Sequence, residues 1–198
     1  MKTKIGLDLD NTIIDYDKIF YKEALRRKLI PKTIDKNRIK IREYIKKKSL
    51  IEWQKLQSNI YSINLHNAVV RNGFISFINN LGNNGYNFCV ISHKTKYPYK
   101  GKKINLHNLS KNWIEANINK KLNKSGVKIK KIFFETTEKK KIKKIVSEKC
   151  DYFIDDLPSV LNLLPKNIKK ILIDPKKNYN NKTDLLILRG WKSISKIF

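Results

Sequence analysis

Residues 5–12, Ile-Gly-Leu-Asp-Leu-Asp-Asn-Thr, constrain the fold more than any other part of the chain. A short apolar run at this position predicts a buried β-strand. Asp8 and Asp10 come at its end, and because strand side chains alternate with a period of two, both carboxylates would point the same way. Two like charges at the edge of a core are unfavourable unless a cation or a proton compensates them. Since Mg²⁺ prefers oxygen ligands, the segment predicts a metal site at the carboxyl end of a first strand.

The composition is that of a chain able to build a globular core. Its 198 residues suit one domain, or one domain with an insertion, and 40% of them are hydrophobic. No apolar run approaches the ~18 residues that span a bilayer. Aspartates also occupy residues 1–15, where a signal peptide would be apolar. We therefore expect a cytoplasmic protein without a membrane partner. Cys89 and Cys150 have no histidine nearby and are interpreted as buried free thiols.

The net charge of the chain is +27, from 44 Lys and Arg against 17 Asp and Glu. A surface so basic attracts polyanions, which makes nucleic acid a candidate partner. However, the basic residues are mostly lysines spread along the whole chain, which is also rich in Asn and Ile. This profile is typical of AT-rich coding sequences. We interpret the charge mainly as compositional, and nucleic acid remains an open but unfavoured partner.

Five short, unbroken apolar runs predict the strands of a parallel sheet, at residues 4–9, 87–91, 129–134, 152–154 and 170–173. Between them, apolar residues at helical spacing predict helices over 73–81, 106–122, 138–149 and 159–164. Strands that alternate with helices are typical of βαβ units. We therefore expect a Rossmann-like, doubly wound α/β fold with a five-stranded parallel sheet.

Residues 16–70 interrupt this alternation because they contain no convincing strand. They predict two or three amphipathic helices, over 18–28, 35–48 and 49–63. An all-helical insertion after the first strand would lie above the strand ends, where it could cover the metal site and exclude water. We predict an α/β core formed by residues 1–15 and 71–198, with a helical cap formed by residues 16–70.

Four polar elements follow one another in order, each at the end of a predicted strand or the start of a predicted helix. They are Asp8, Asp10 and Thr12 after the first strand, Ser92 after the second, residues 139–141 (three lysines) at a helix start, and Asp155 and Asp156 after the fourth strand. The strand ends of a parallel sheet converge on one edge. This set spans nearly the whole chain and resembles the haloacid dehalogenase (HAD) superfamily, most of whose members are Mg²⁺-dependent phosphatases and phosphotransferases.

The resemblance implies a role for each carboxylate. Asp8 would be the nucleophile that takes the phosphoryl group as an aspartyl-phosphate. Asp10 would act first as the general acid for the leaving oxygen and then as the base that activates water. Mg²⁺ would be bound by Asp8, by the backbone carbonyl of Asp10 and by Asp155, with Asp156 as a further or water-mediated ligand.

The resemblance also implies a phosphate site. Ser92 and the backbone N–H groups beside it, including that of His93, would bind phosphate oxygens, with Thr12 in support. A lysine would offset the negative charge. Lys141 directly precedes the first apolar position of its helix and is expected to point back to the strand ends, with Lys140 as the alternative. The basic and aromatic loop that begins at His93 would either contact the leaving group or pack as ordinary surface.

These observations predict a Mg²⁺-dependent phosphatase that acts on a phosphomonoester of a small metabolite, because a helical roof limits access for polymers. Two alternatives stay open: a phosphatase of nucleotides or polynucleotide ends, which the charge favours, and a non-enzymatic basic nucleic-acid-binding module on the same fold. No nucleic-acid motif with clustered aromatic residues is present, which argues against the module. The pattern leaves open the substrate, the acceptor (water or another metabolite) and the oligomeric state.

Overall fold

The computed structural model of the chain describes residues 2–122, 126–179 and 185–198. In chain order its elements are β1 (Lys4–Leu7), β2 (Ile14–Asp15), α1 (Asp17–Arg26), α2 (Arg38–Lys48), α3 (Leu50–Tyr61), β3 (Val69–Val70), α4 (Phe74–Asn83), β4 (Asn87–His93), α5 (Leu106–Ile114), α6 (Lys120–Leu122), β5 (Lys131–Glu135), α7 (Glu138–Ser147), β6 (Tyr152–Asp155), α8 (Pro158–Asn162), β7 (Lys169–Ile173), β8 (Leu186–Leu188) and α9 (Trp191–Ile194). A π-helical segment, Glu115–Asn119, joins α5 to α6, and a short 3₁₀ turn, Leu65–Asn67, precedes β3.

The main sheet has six parallel strands in the order β5-β4-β1-β6-β7-β8. Its strands are covered on both faces, since Val90 of β4 packs into one apolar cluster and its neighbour Ile91 into the other. Helices α4 and α5 contribute to the first cluster, and α7 and α8 contribute to the second. The expected doubly wound, parallel α/β fold is confirmed.

The expected number of strands was wrong, because β8 is a sixth strand that pairs with β7 at the sheet edge. It comprises Leu186–Leu188 and lies in the unbroken apolar run of residues 185–188, which has the same pattern as the five predicted strands. The first strand is also shorter than expected and ends at Leu7. Beyond it the chain curls, since the amides of Ile13 and Ile14 both donate to the carbonyl of Leu9.

Helices α1, α2 and α3 lie between β2 and β3, close to the three ranges expected there. The antiparallel pair β2–β3 joins the two ends of this helical segment. Inside it, the rings of Phe20 and Trp53 stack with centroids 5.2 Å apart. The side chain of Asn37 begins α2 by accepting from the amide of Ile39, and that of Ser49 begins α3 by accepting from the amide of Glu52. The division into a core and a cap stays a prediction.

No helix in the described part of the chain has both the length and the apolarity that crossing a bilayer requires.

Gly6 lies at the centre of the sheet, where a side chain would not fit. A Cβ atom at this position would lie 2.5 Å from Cδ2 of Phe153 and 2.8 Å from Sγ of Cys150. Cys150 and Cys89 are both free and buried, as expected, with their sulfur atoms 3.7 Å apart. The ring and the sulfur therefore occupy the volume over the backbone of β1.

We predict that Gly6→Ala lowers the free energy of unfolding by about 1–3 kcal/mol, the usual cost of overpacking a core. Urea denaturation followed by circular dichroism measures this change. Gly190→Ala is the matched control, because Gly190 has an extended backbone and open space around its Cα. Equal stabilities of the two variants would contradict the packing described for β1.

Candidate functional site

Three buried carboxylates meet at the carboxyl edge of the sheet. Asp8 directly follows β1, Asp155 ends β6 and Asp156 comes next. Since β1 and β6 run parallel, Asp8 lies beside the end of β6, and its amide donates to the carbonyl of Ile154 at 2.9 Å. One oxygen from each carboxylate lies within 4.8 Å of the others. Their residues are 4%, 0% and 9% exposed, so this acidic cluster is largely removed from solvent.

Lys141 supplies a cation inside the acidic cluster. It lies near the start of α7, where the hydroxyl of Thr137 accepts from the amide of Lys140. Its Nζ lies 2.6 Å from Oδ1 of Asp8 and 2.7 Å from Oδ2 of Asp155. Lys140 is exposed, whereas Lys141 is 1% exposed. The structure therefore brings Lys141, and not the neighbouring lysine, to the strand ends.

Burial disfavours the ionised form of the acidic cluster, although Lys141 and Arg38 oppose this effect. Burial raises the pKa of Asp8 from 3.8 to about 6, while Lys141 opposes the shift and Asp155 adds to it. Burial likewise raises the pKa of Asp156 to about 8, against the opposing charge of Arg38. Burial alone would lower the pKa of Lys141, but Asp155 and Asp8 outweigh it and raise that pKa above its usual value. Each shift indicates a site that favours an additional positive charge.

The donor set of the acidic cluster suits a hard divalent cation. It offers carboxylate oxygens and neither thiolate nor imidazole, which favours Mg²⁺ over zinc. Two oxygens on opposite sides of an octahedral Mg²⁺ lie about 4 Å apart. The three carboxylate oxygens of the acidic cluster lie within 4.8 Å of one another, so modest side-chain rotation would bring them to the distances that Mg²⁺ requires. Asp8, Asp155 and Asp156 could therefore hold a metal ion.

Asp10 lies apart from the acidic cluster, on the tight turn that follows β1. Asn11 adopts a left-handed backbone with φ of 65°, a conformation that Asn tolerates better than most residues. The hydroxyl of Tyr16 donates to Oδ1 of Asp10 at 2.8 Å. Nζ of Lys94 lies 2.8 Å from Oδ2 of Asp10. The carboxylate is thus held between two donors.

Two tyrosines, the buried Tyr16 and the half-buried Tyr61, lie close to Asp10 and Lys94. Burial, reinforced by the charge of Asp10, raises the pKa of Tyr16 well above 10. Burial also raises the pKa of Tyr61 to about 12, against the charge of Arg38. Both side chains are therefore neutral phenols that can donate a proton in a hydrogen bond. The ring of Tyr61 also faces Nζ of Lys94, which lies 4.9 Å from its centroid.

The predicted phosphate-binding residues are not equally placed. Ser92 and His93, at the end of β4, both line the cavity above Asp8. Ser92 is buried, but His93 is exposed, with its Nε2 lying 3.1 Å from the carbonyl oxygen of Thr136. Thr12 is buried outside the lining of that cavity, and its hydroxyl has no hydrogen-bond partner in the described part of the chain. The structure brings Ser92, but not Thr12, to the cavity.

The cavity has a volume of about 190 Å³ and opens between the sheet edge and the helical segment. Its walls come from α2, α3 and the loop after β4, which contribute Arg38 and Arg42, Gln57, Ser58 and Tyr61, and Lys94, Thr95, Pro98 and Tyr99. The amide of Lys100 donates to Oγ of Ser58 at 3.1 Å, so the loop is joined to α3. Asp8 and Lys141 also line this cavity.

Two cations that line the cavity, Arg38 and Lys94, were not among the predicted site residues. Nη2 of Arg38 lies 3.4 Å from Oδ2 of Asp156, and its side chain is only 9% exposed. Nothing in the sequence separates Arg38 from the other basic residues of α2. Lys94 was part of a loop whose role stayed open, because the second strand was expected to end before Ser92. Since β4 runs to His93, Lys94 comes directly at the sheet edge.

Solved structures with the same overall fold are HAD-superfamily hydrolases. One, from Ehrlichia chaffeensis, has a TM-score of 0.54 and 15% identity over 100% of this chain and 97% of that chain. A HAD hydrolase from Bacillus subtilis, bound to magnesium, has a TM-score of 0.52 and 13% identity over 99% and 98%. A haloacid dehalogenase-like hydrolase from Streptococcus pneumoniae has a TM-score of 0.55 and 14% identity over 87% and 85%. Sequence comparison matches no family model and no curated protein.

We predict that Mg²⁺ raises the midpoint of thermal unfolding, and raises it more at about pH 8 than at about pH 5. Without metal, the folded chain holds protons on Asp8 and Asp156 up to pKa values of about 6 and 8, whereas the unfolded chain loses them near 3.8. Stability without metal therefore falls as the pH rises through this interval. Mg²⁺ requires the ionised carboxylates, so its stabilising effect grows over the same interval.

Differential scanning fluorimetry with Mg²⁺ and with a chelator measures this effect. Asp155→Asn should abolish the response to Mg²⁺, whereas Asp35→Asn, which changes an exposed carboxylate outside the site, should keep it. An unchanged unfolding midpoint of the wild-type protein on addition of Mg²⁺ at about pH 8 would contradict the metal site.

Proposed function

We propose that this chain, which has the fold of HAD-superfamily hydrolases, is a Mg²⁺-dependent phosphatase that hydrolyses a phosphomonoester of a small metabolite through an aspartyl-phosphate. The observation that carries the proposal is the placement of Asp8. Its carboxylate lies beside a buried ammonium and two further carboxylates, and it faces an enclosed cavity. Phosphoryl transfer needs a positioned nucleophile and compensation for the charge of the phosphoryl oxygens, and this arrangement supplies both.

In the first step an oxygen of Asp8 attacks the phosphorus atom, and the bond from phosphorus to the leaving oxygen breaks. Asp10 gives its proton to that leaving oxygen. In the second step water loses a proton to Asp10 and attacks the same phosphorus atom, which breaks the bond to Asp8. Inorganic phosphate leaves, and both aspartates return to their starting forms. One carboxylate thus carries the phosphoryl group and the other moves the proton.

Lys94 and Tyr16 orient Asp10 in this scheme. Nζ of Lys94 lies 2.8 Å from Oδ2 of Asp10, and the hydroxyl of Tyr16 donates to its Oδ1. These two contacts are proposed to fix the direction of the carboxyl group toward the leaving oxygen. The ammonium of Lys94 also lines the cavity, where it is proposed to contact an incoming phosphate.

The phosphate oxygens are proposed to be bound by Lys141, by the hydroxyl of Ser92 and by backbone N–H groups near His93. Lys141 and Ser92 are buried against the cavity, which strengthens their interactions with an anion. Because the side chain of His93 is exposed, only its backbone fits this role. Thr12 is proposed to support the turn after β1 rather than to contact phosphate.

Mg²⁺ would be held by Asp8, Asp155 and Asp156, with the backbone carbonyl of Asp10 as a further ligand, and would supply positive charge to the phosphoryl oxygens. The observation that supports this assignment is the burial of three carboxylates with one lysine among them. Before each turnover, Lys141 is proposed to favour the ionised form of Asp8 and to orient its carboxylate.

The size of the cavity favours a small substrate. Residues 16–70 are proposed to act as a cap, because α2 and α3 form walls of the cavity above Asp8. A volume of about 190 Å³ suits a small phosphorylated molecule better than a polymer. The net charge of +27 keeps a phosphatase of nucleotide or polynucleotide ends as the alternative. Hydrolysis of a terminally phosphorylated oligonucleotide in preference to small phosphoesters would favour that alternative.

We predict that Asp8→Asn lowers kcat by about a thousandfold or more, because an amide oxygen is too weak a nucleophile to form the covalent intermediate. Release of inorganic phosphate from p-nitrophenyl phosphate and from a panel of phosphorylated metabolites measures the change. Asp35→Asn is the control and should behave as wild type. Failure of the wild-type protein to release phosphate from any phosphoester would refute the proposal, as would an active Asp8→Asn variant.

We predict that Lys94→Met lowers kcat/KM by about tenfold to a hundredfold, the usual effect of removing a charge-assisted hydrogen bond from a site. Met preserves the buried stem of the side chain and removes only the ammonium. Lys96→Met, in the same loop and exposed, is the matched control. Equal kinetics for the two variants would show that Lys94 has no part in the reaction.

A further inference from the structure

Arg42 is a cation in the cavity that the proposed reaction does not use. It lies one helical turn after Arg38 on the same face of α2, and both residues line the cavity. Arg42 is partly buried there. At a rise of 1.5 Å per residue, its Cα lies about 6 Å further along the helix than that of Arg38. The cavity is therefore lined by two guanidinium groups from successive turns of α2.

The ion pairs of the site leave Arg42 as the surplus charge. Lys141 compensates Asp8 and Asp155, and Lys94 compensates Asp10. Arg38 is the partner of Asp156. Among residues 2–122, 126–179 and 185–198, no carboxylate lies within ion-pair distance of Arg42. A cation that lines a cavity without an anionic partner can bind the anionic group of a ligand there.

The helix facing α2 across the cavity offers hydrogen bonds without negative charge. Gln57 and Ser58, both on α3, line the same cavity as Arg42. Ser58 is buried, and its hydroxyl oxygen accepts from the amide of Lys100, so its hydroxyl hydrogen can donate to a ligand. An amide and a hydroxyl in the same cavity as a guanidinium complement the oxygens of an acid group.

We propose that Arg42, with Gln57 and Ser58, forms a subsite for a second anionic group on the substrate. This inference rests on the proposed function, because it places the ester phosphate at Asp8 and the second group on the leaving portion, a few bonds away. The group is a carboxylate or a second phosphate, both of which a guanidinium binds through paired N–H donors. Arg42 is then the residue that determines specificity for phosphoesters with two acid groups.

Binding of phosphonates that cannot be hydrolysed tests the subsite without turnover. Isothermal titration calorimetry compares propylphosphonate with its ω-carboxylate and ω-phosphonate analogues, in the presence of Mg²⁺. The wild-type protein should bind at least one of the two diacids about tenfold to a hundredfold more tightly than propylphosphonate, the usual gain from a charge-assisted hydrogen bond. The preferred diacid distinguishes a carboxylate subsite from a phosphate subsite.

Arg42→Gln should abolish this preference, and Arg42→Lys should retain part of it. Lys46→Gln is the matched control, since it removes an exposed charge one turn further along α2 and should keep the preference. The inference is overturned if the wild-type protein does not discriminate, if Arg42→Gln weakens all three ligands equally, or if none of the three binds.

Phosphate release from n-propyl phosphate, assayed in parallel, separates this inference from the proposed function. Phosphate release without discrimination among the phosphonates would refute only the subsite. Discrimination that depends on Arg42, without release of phosphate from any phosphoester, would refute the phosphatase and keep a binding site for diacids.

Discussion

The site depends on one ammonium placed between two buried carboxylates. Nζ of Lys141 contacts Asp8, which follows the central strand, and Asp155, which ends the neighbouring strand. Without a cation there, adjacent parallel strands would bring two like charges together in a nearly dry environment, at a cost of several kcal/mol. Lys141 reaches both carboxylates because α7 lies in the connection from β5 to β6, which crosses over the sheet between these two parallel strands.

The same constraint is the reason that we propose a metal ion for this site. Burial raises the pKa values of Asp8 and Asp156 even though Lys141 and Arg38 oppose the two shifts. A divalent cation would favour the ionised carboxylates and would add positive charge for a phosphate dianion. The predicted pH dependence of stability, the proposed metal site and the proposed chemistry all follow from this arrangement of charges.

The local sequence was sufficient to predict the sheet and much of the candidate site. Short apolar runs ending in polar residues predicted the parallel sheet, the edge at which the aspartates meet, and the position of Lys141 one residue before a core position. Arg38 and Lys94 could not be found in this way, because their roles depend on which basic residues a tertiary contact buries, in a chain with 44 Lys and Arg. The sixth strand, β8 at the sheet edge, was also missed, although it lies in an unbroken apolar run at residues 185–188 that has the same pattern as the predicted strands.

Asp8 is proposed to carry the phosphoryl group during turnover. Acid quenching of the reaction, followed by mass spectrometry of peptides, detects such an intermediate. We expect a peptide containing Asp8 with one phosphoryl group, which is lost on treatment with hydroxylamine and is absent from Asp8→Asn. Turnover of a phosphoester with the phosphoryl group found on another residue, or with an active Asp8→Asn variant, would contradict it.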